Sequence, residues 1–245
     1  MKLIEVAYAI KDSEWNKYQN IKTPEEFLEF MSIKKYTIRK DGFADVHEDV
    51  DLSYSGFDYL PIKFGIVTGD FQCNNCHKLV SLEGAPQEII KGEFRASECP
   101  LITNLEHSPT RVDSHFNISR CSGLTSLKGA PKKIGGNFNC AYAHKLTSLN
   151  GGPEEVGGNV LLDETALKSL DFLPKKIDGR LSLDNIPDLK DYLKIFNTKG
   201  ISHVIITRRF SKLENILNKY LPTQDMLNCQ DELIEAGFER FAEVD

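Results

Sequence analysis

The 245-residue chain lacks the features that would place it in a membrane, in an export pathway or on a nucleic acid. No apolar run approaches the roughly 20 residues that span a bilayer. The opening Met1-Lys2-Leu3-Ile4-Glu5-Val6 is soon followed by Lys11, Asp12 and Glu14, a charge pattern foreign to signal peptides. The expectation is a cytoplasmic protein whose six cysteines are reduced thiols. Positive charge is not in excess: the net charge is −6, which leaves no electrostatic footprint for direct nucleic-acid binding. Gly-x-Ser-x-Gly, phosphate-loop and His-Glu-x-x-His strings are all missing, so nothing points to catalysis by those routes. With 40% apolar and 27% charged residues, disorder is excluded as well.

What the chain does have is a repeated phrase. Leu60-Pro61, Ser81-Leu82-Glu83-Gly84-Ala85-Pro86, Asn104-Leu105-Glu106-His107-Ser108-Pro109, Ser126-Leu127-Lys128-Gly129-Ala130-Pro131, Ser148-Leu149-Asn150-Gly151-Gly152-Pro153 and Ser169-Leu170-Asp171-Phe172-Leu173-Pro174 place their prolines 25, 23, 22, 22 and 21 residues apart. A period in the low twenties marks a solenoid, in which each repeat buries its apolar side only by stacking on the next. A few residues after each proline comes a short alternating stretch, as in Asp70-Phe71-Gln72-Cys73, Glu93-Phe94-Arg95-Ala96 and Asn137-Phe138-Asn139-Cys140. That is the period of a half-buried strand. Asp49-Val50-Asp51-Leu52 is an earlier, degenerate copy. Proline denies a helix, so the far side of each coil is expected to be extended or 3₁₀. The glycines after Ile134 and Val156 are expected to serve turns that need positive φ.

The flanks differ from the repeats. Thr23-Pro24-Glu25-Glu26 reads as a helix start, with Phe27, Leu28, Phe30 and Met31 packing the helix down. Tyr36-Thr37-Ile38-Arg39 and Phe43-Ala44-Asp45-Val46 flank Asp41-Gly42, the signature of a hairpin with a type I′ turn. Beyond the repeats, residues 188–196 are expected to be helical, 201–206 a strand, 210–220 a helix, and 226–241 a last helix that ends or kinks near Gly237. The division is an N-terminal cap (1–48), the repeats (49–187) and a C-terminal cap (188–245), all in one domain.

Phe71-x-Cys73-x-x-Cys76-x-x-Leu79-x-Ser81-Leu82, and Phe138-x-Cys140 through Leu146-x-Ser148-Leu149, resemble the Leu-x-Leu-x-x-Asn/Cys-x-Leu signature of leucine-rich repeats. The likeness extends to the short-repeat proteins of tailed bacteriophages, with their Leu-Thr-Ser-Leu-x-Gly-Ala-Pro units and an acidic Asp-Val-Asp-Leu-Ser segment like residues 49–53. It covers about residues 36–185. It implies a parallel sheet on the concave side of a leucine-rich-repeat solenoid, and a protein partner, a host or defence protein, inside an infected bacterium. The third unit departs from it, with His107-Ser108 for Gly-Ala and Asp113-Ser114 for Gly-Gly, and an irregular corner is expected there.

Cys73-Asn74-Asn75-Cys76-His77 matches a haem-attachment string and half of a zinc site. The register explains it without a cofactor or metal. Cys73 falls where Ala96, Ile118, Cys140, Leu162 and Leu183 fall, and Cys76 where Cys99 and Cys121 fall. Buried cysteine behaves as a small hydrophobe. Cys229-Gln230-Asp231 resembles the Cys-x-Asp motif of secreted bacterial ubiquitin ligases that carry leucine-rich repeats, although only 16 residues follow Cys229. A buried helix cysteine is the plainer reading.

The remaining candidate is the strand face turned away from the core. Alternation places Asp70, Gln72, Glu93, Arg95, His115, Asn117, Asn137, Asn139, Asn159, Leu161, Arg180 and Ser182 outward, with Asp49, Asp51, Asp163 and Asp184 around them. The expectation is a docking face for a basic or polar protein region, with Arg95, Arg180 and the adjoining Tyr142 as anchors. Plain solvation is the competing reading. Rival functions are a ligase using Cys229, an acidic mimic that blocks a nucleic-acid-binding protein, and a structural part of a virion.

Overall fold

A computed structural model describes residues 21–206 and 210–242; residues 1–20 (with Glu5, Lys11, Asp12 and Glu14), 207–209 and 243–245 lie outside the described residues. The chain winds as a β-solenoid in which each coil gives one short strand to each of two sheets. The first sheet runs Tyr36–Ile38, Ala44–Val46, Phe64–Thr68, Glu88–Ile90, Arg111–Val112, Lys133–Ile134, Glu155–Val156 and Lys176–Ile177. The second runs Val50–Asp51, Phe71–Gln72, Phe94–Arg95, Phe116–Asn117, Phe138–Asn139, Val160–Leu161, Arg180–Ser182 and His203–Ile205. All neighbours are parallel except the first pair, the antiparallel hairpin. The far side of the coil is therefore strand rather than 3₁₀, and it forms a ladder of its own. The prolines stand at the corner just before it, and Ile89, Val112, Ile134, Val156 and Ile177 point inward from it.

The core follows the repeat register. Phe71, Phe94, Phe116 and Phe138 form one interior column, all buried, with successive ring centroids 5.7, 5.1 and 6.2 Å apart. Leu79, Ile102, Leu124, Leu146 and Leu167 are buried likewise, as are Leu82, Leu105, Leu127, Leu149 and Leu170. Cys76, Cys99 and Cys121 stack in one slot. Their thiols hydrogen-bond to main-chain carbonyls, as in Cys99 Sγ–Cys73 O and Cys121 Sγ–Ala96 O at 3.1 Å. Thiol-to-thiol hydrogen bonding and burial push Cys76 far above the usual thiol range. These are inert core groups.

Two glycine roles differ from expectation. Gly135, Gly136, Gly157 and Gly158 do not have positive φ. They are required by closeness instead: a Cβ on Gly135 would meet Asp113 O at 2.0 Å, and one on Gly157 would meet Gly135 O at 2.3 Å. Positive φ occurs at the other corner, in Gly84, Gly129 and Gly151 (φ 94°, 93° and 85°). There His107 (φ 68°) and Phe172 (φ 65°) keep the same backbone without glycine, so the third unit is regular and not distorted. The Ser108 hydroxyl even donates to Gly129 O at 2.7 Å.

Thr23 caps helix Pro24–Phe30 by accepting from Glu26 N–H, and Phe27 and Leu28 are buried. Phe30, expected to pack inward, is 41% exposed. At the hairpin only Gly42 has positive φ, and Arg39 N–H donates to Phe43 O. That is a three-residue loop with glycine in the left-handed position, not the expected two-residue type I′ turn. The segment expected to be helical at 188–196 is a 3₁₀ turn, Tyr192–Asn197. Asp191, at its start, does not cap it; its carboxylate accepts from Ser169 Oγ and Leu170 N of the preceding coil. Helices Ser211–Tyr220 and Met226–Glu235 follow, and Gly237 at φ 83° ends the second.

Candidate binding face

The outer side of the second sheet carries the predicted residues in aligned rows. Asp51, Gln72, Arg95, Asn117, Asn139, Leu161 and Ser182 stand side by side in the strand register. Neighbouring strands lie about 4.8 Å apart. The row upstream holds Asp49, Asp70, Glu93, His115, Asn137, Asn159 and Arg180. Glu93 and Ser182, expected outward, are buried at 8% and 6%. The Glu93 carboxylate folds onto Arg95 at 2.5 Å, and Ser182 Oγ donates to Asp163. Most of the others are half-buried, with Asp49, Asp51, His115 and Arg180 exposed.

Half-burial has a structural cause that the alternation pattern cannot show. In the upstream row every side-chain acceptor except Glu93, which pairs with Arg95, takes the main-chain N–H of the next coil. Asp49 Oδ1 accepts from Asp70 N at 2.9 Å, Asp70 Oδ1 from Glu93 N at 3.1 Å, and His115 Nδ1 from Asn137 N at 2.8 Å. Asn137 Oδ1 accepts from Asn159 N, and Asn159 Oδ1 from Arg180 N, both at 2.8 Å. Asn117 and Asn139 close local turns, their Oδ1 atoms accepting from Ser119 N and Ala141 N at 3.0 Å. These side chains therefore hold coil to coil as well as forming the face. A lost bond of this kind costs about 1 kcal/mol, more if the N–H is left dry.

The corner beside this face has an unusual backbone. One residue per coil is left-handed without being glycine: Asn75, Glu98, Arg120, Tyr142 and Glu164, with φ of 56°, 58°, 60°, 63° and 57°. The turn keeps each N–H on the ladder, as in Arg120 N–Ala141 O at 2.8 Å and Tyr142 N–Asp163 O at 2.7 Å. It costs on the order of 1–2 kcal/mol per residue. The Arg120 guanidinium lies 4.3 Å from the centre of the Tyr142 ring, so the suspected Tyr142 comes with a cationic partner.

The other faces offer less. The outer side of the first sheet carries many charges, but they pair among themselves: Lys133–Glu155 at 2.7 Å, Arg111–Asp113 and Lys175–Glu154 at 2.8 Å, and Lys176–Asp178 at 2.5 Å. A shallow cavity of about 540 Å³ runs between them over Gly135 and Gly157. Cys229 is buried within helix Met226–Glu235; burial and the nearby Glu232 and Asp225 push its thiol up to about 12. A thiolate nucleophile needs the opposite shift. Cys73 and Cys76 are buried while His77 is exposed, so the Cys-x-x-Cys-His string does not converge on one site. Among the described residues no cluster of His, Cys, Asp and Glu is arranged to hold a metal ion, and no helix is long and apolar enough to cross a membrane. Compared with known proteins, the chain matches no family model, no curated protein and no solved structure.

Proposed function

We propose that this protein is a non-catalytic binding module of the leucine-rich-repeat type, closed at its ends by its terminal elements and acting in the cytoplasm, that grips a protein partner with the outer side of its second sheet. The observation that carries the reading is the contrast between the two sheets. Most charges on the first sheet are paired within the coil stack, whereas on the second, where Arg95 pairs with Glu93, Arg180 has no carboxylate in salt-bridge range among the described residues, and Arg120 stacks on the half-exposed Tyr142. Arginine and tyrosine on a rigid, desolvated support are the usual anchors of protein interfaces. The raised, buried thiol of Cys229 speaks against the ligase alternative, in which it would have to attack a thioester. The phage likeness makes a host or defence protein of an infected bacterium the partner to seek.

The test is affinity capture from bacterial lysate with the wild-type protein and with Arg95→Ala/Arg180→Ala. A protein retained by the first and lost by the second is the expected result. Capture of nothing, or equal capture by both, removes the reading. Trapping a thioester on Cys229 would establish the enzyme in its place.

A further inference from the structure

Asparagine is a thermolabile residue, because the main-chain nitrogen that follows it can attack its side-chain carbonyl carbon. Within the coil stack that nitrogen is committed to the ladder. After Asn74, Asn117, Asn137 and Asn139 come the N–H groups of Asn75, Ile118, Phe138 and Cys140, which donate to Ser97, Asn139, Asn159 and Leu161 carbonyls at 2.8–3.0 Å. After Asn104, Leu105 N donates to Lys128 O at 2.9 Å. Asn150 is placed differently. It heads the chain's one Asn-Gly pair, and its side chain is exposed and makes no hydrogen bond among the described residues. Neither Asn150 O nor Gly151 N–H has a hydrogen-bond partner there, so the peptide unit between them is anchored at neither end. At the same corner one coil earlier, Lys128 O is held by Leu105 N. The Gly152 N–Leu149 O bond of 3.0 Å, with φ positive at Gly151 (85°) and not at Asn150, marks a type II turn. With no Cβ on Gly151, the unanchored peptide can rotate while that outer bond stays closed.

We infer that Asn150 is a site of covalent self-modification, at which the folded protein deamidates through a cyclic imide formed with Gly151. Hydroxide takes the Gly151 N–H proton, and the nitrogen attacks Asn150 Cγ. The new C–N bond closes a five-membered ring, and the side-chain nitrogen leaves as ammonia with a proton from water. Water then opens the ring. Attack at the side-chain carbonyl gives aspartate, and attack at the main-chain carbonyl gives isoaspartate. One water is consumed, one ammonia is released, and nothing is oxidised or reduced. Either product puts a carboxylate one coil away from Lys128, where it competes with Glu106, the present partner of that cation at 2.6 Å. Isoaspartate also adds a main-chain carbon to the turn that Leu149 O and Gly152 N close.

The whole protein is incubated in mildly alkaline buffer and sampled over time by peptide-mapping mass spectrometry. Isoaspartate is detected separately, with an isoaspartyl methyltransferase and a labelled methyl donor. A free peptide of residues 145–155 supplies the rate of the unrestrained sequence. Asn150→Gln is the control, since its longer side chain would have to close a six-membered ring. Conversion at Asn150 ahead of every other asparagine is the expected result, at a rate within about tenfold of the free peptide, a barrier difference of no more than about 1.4 kcal/mol. Asn117, Asn137 and Asn139 keep their amides over the same period, and Asn150→Gln carries no methyl label above background. The inference is overturned if Asn150 stays intact or reacts more than about a hundredfold slower than the peptide, which would mean that the turn shields it. Conversion of Asn137 or Asn139 as fast as Asn150, or equal labelling of Asn150→Gln and wild type, overturns it as well.

Discussion

Replacing Gly157 by alanine separates two explanations of the repeat glycines. If the position needed positive φ, alanine would cost about 1–2 kcal/mol, the penalty of a left-handed side chain. Its φ is not positive, and the added Cβ would lie 2.3 Å from Gly135 O, a main-chain atom of the preceding coil. Ordinary contact needs about 1 Å more. Opening that gap stretches Gly157 N–Ile134 O, now 2.9 Å, and strains Asp178 N–Val156 O, also 2.9 Å. Two weakened ladder bonds at about 1 kcal/mol each, with about 1–3 kcal/mol for overpacking, give a loss of roughly 3–5 kcal/mol. Gly42 is the control: its φ is 85°, and a Cβ there would touch nothing within 4 Å. Gly42→Ala should lose only about 1–2 kcal/mol. Urea denaturation followed by far-ultraviolet circular dichroism measures both. Equal losses in the two variants would refute the close-approach argument.

Three further substitutions test the same packing. Phe94→Ala should destabilise by about 3–5 kcal/mol in the same assay, because the ring is fully buried between Phe71 and Phe116, while Phe94→Leu should lose less than half of that. Phe172→Gly should stabilise by about 1 kcal/mol, since the side chain is 60% exposed and its left-handed backbone suits glycine; a loss would show that the ring packs more than its exposure implies. Burial would raise the Asp45 carboxyl, but the Arg39 side chain at 2.7 Å and the Ile66 N–H outweigh it and hold it below the usual carboxylate range. A carboxyl with a lowered folded pKa stabilises above about pH 4 and loses that contribution as pH falls through the folded value. The stability gap between wild type and Asp45→Asn should therefore narrow steadily below pH 4, and a gap constant to pH 2 would contradict the assignment.

Much of the fold could be read from spacing. The proline period located the coils between Pro61 and Pro174, and alternation after each proline located the interior Phe71-Phe94-Phe116-Phe138 column and the buried cysteine slots, because burial repeats wherever the register repeats; strand His203–Ile205, which extends the same sheet, lies beyond that period. The second ladder was missed, since a two-residue strand such as Lys133–Ile134 carries no alternation of its own. The candidate face was legible only as a set of directions. That Asn137 and Asn159 point outward follows from the strand period, but that their oxygens are already committed does not.

The sequence alone determined the coil, its length and which side chains go inside, because a fixed period with fixed apolar positions allows one stacking register. Only the tertiary structure decided what the surface offers. Coils about 4.8 Å apart bring a side-chain oxygen of one turn onto the N–H of the next. That contact, between residues some 22 apart, makes a row of surface amides and acids part of the ladder that holds the coils together.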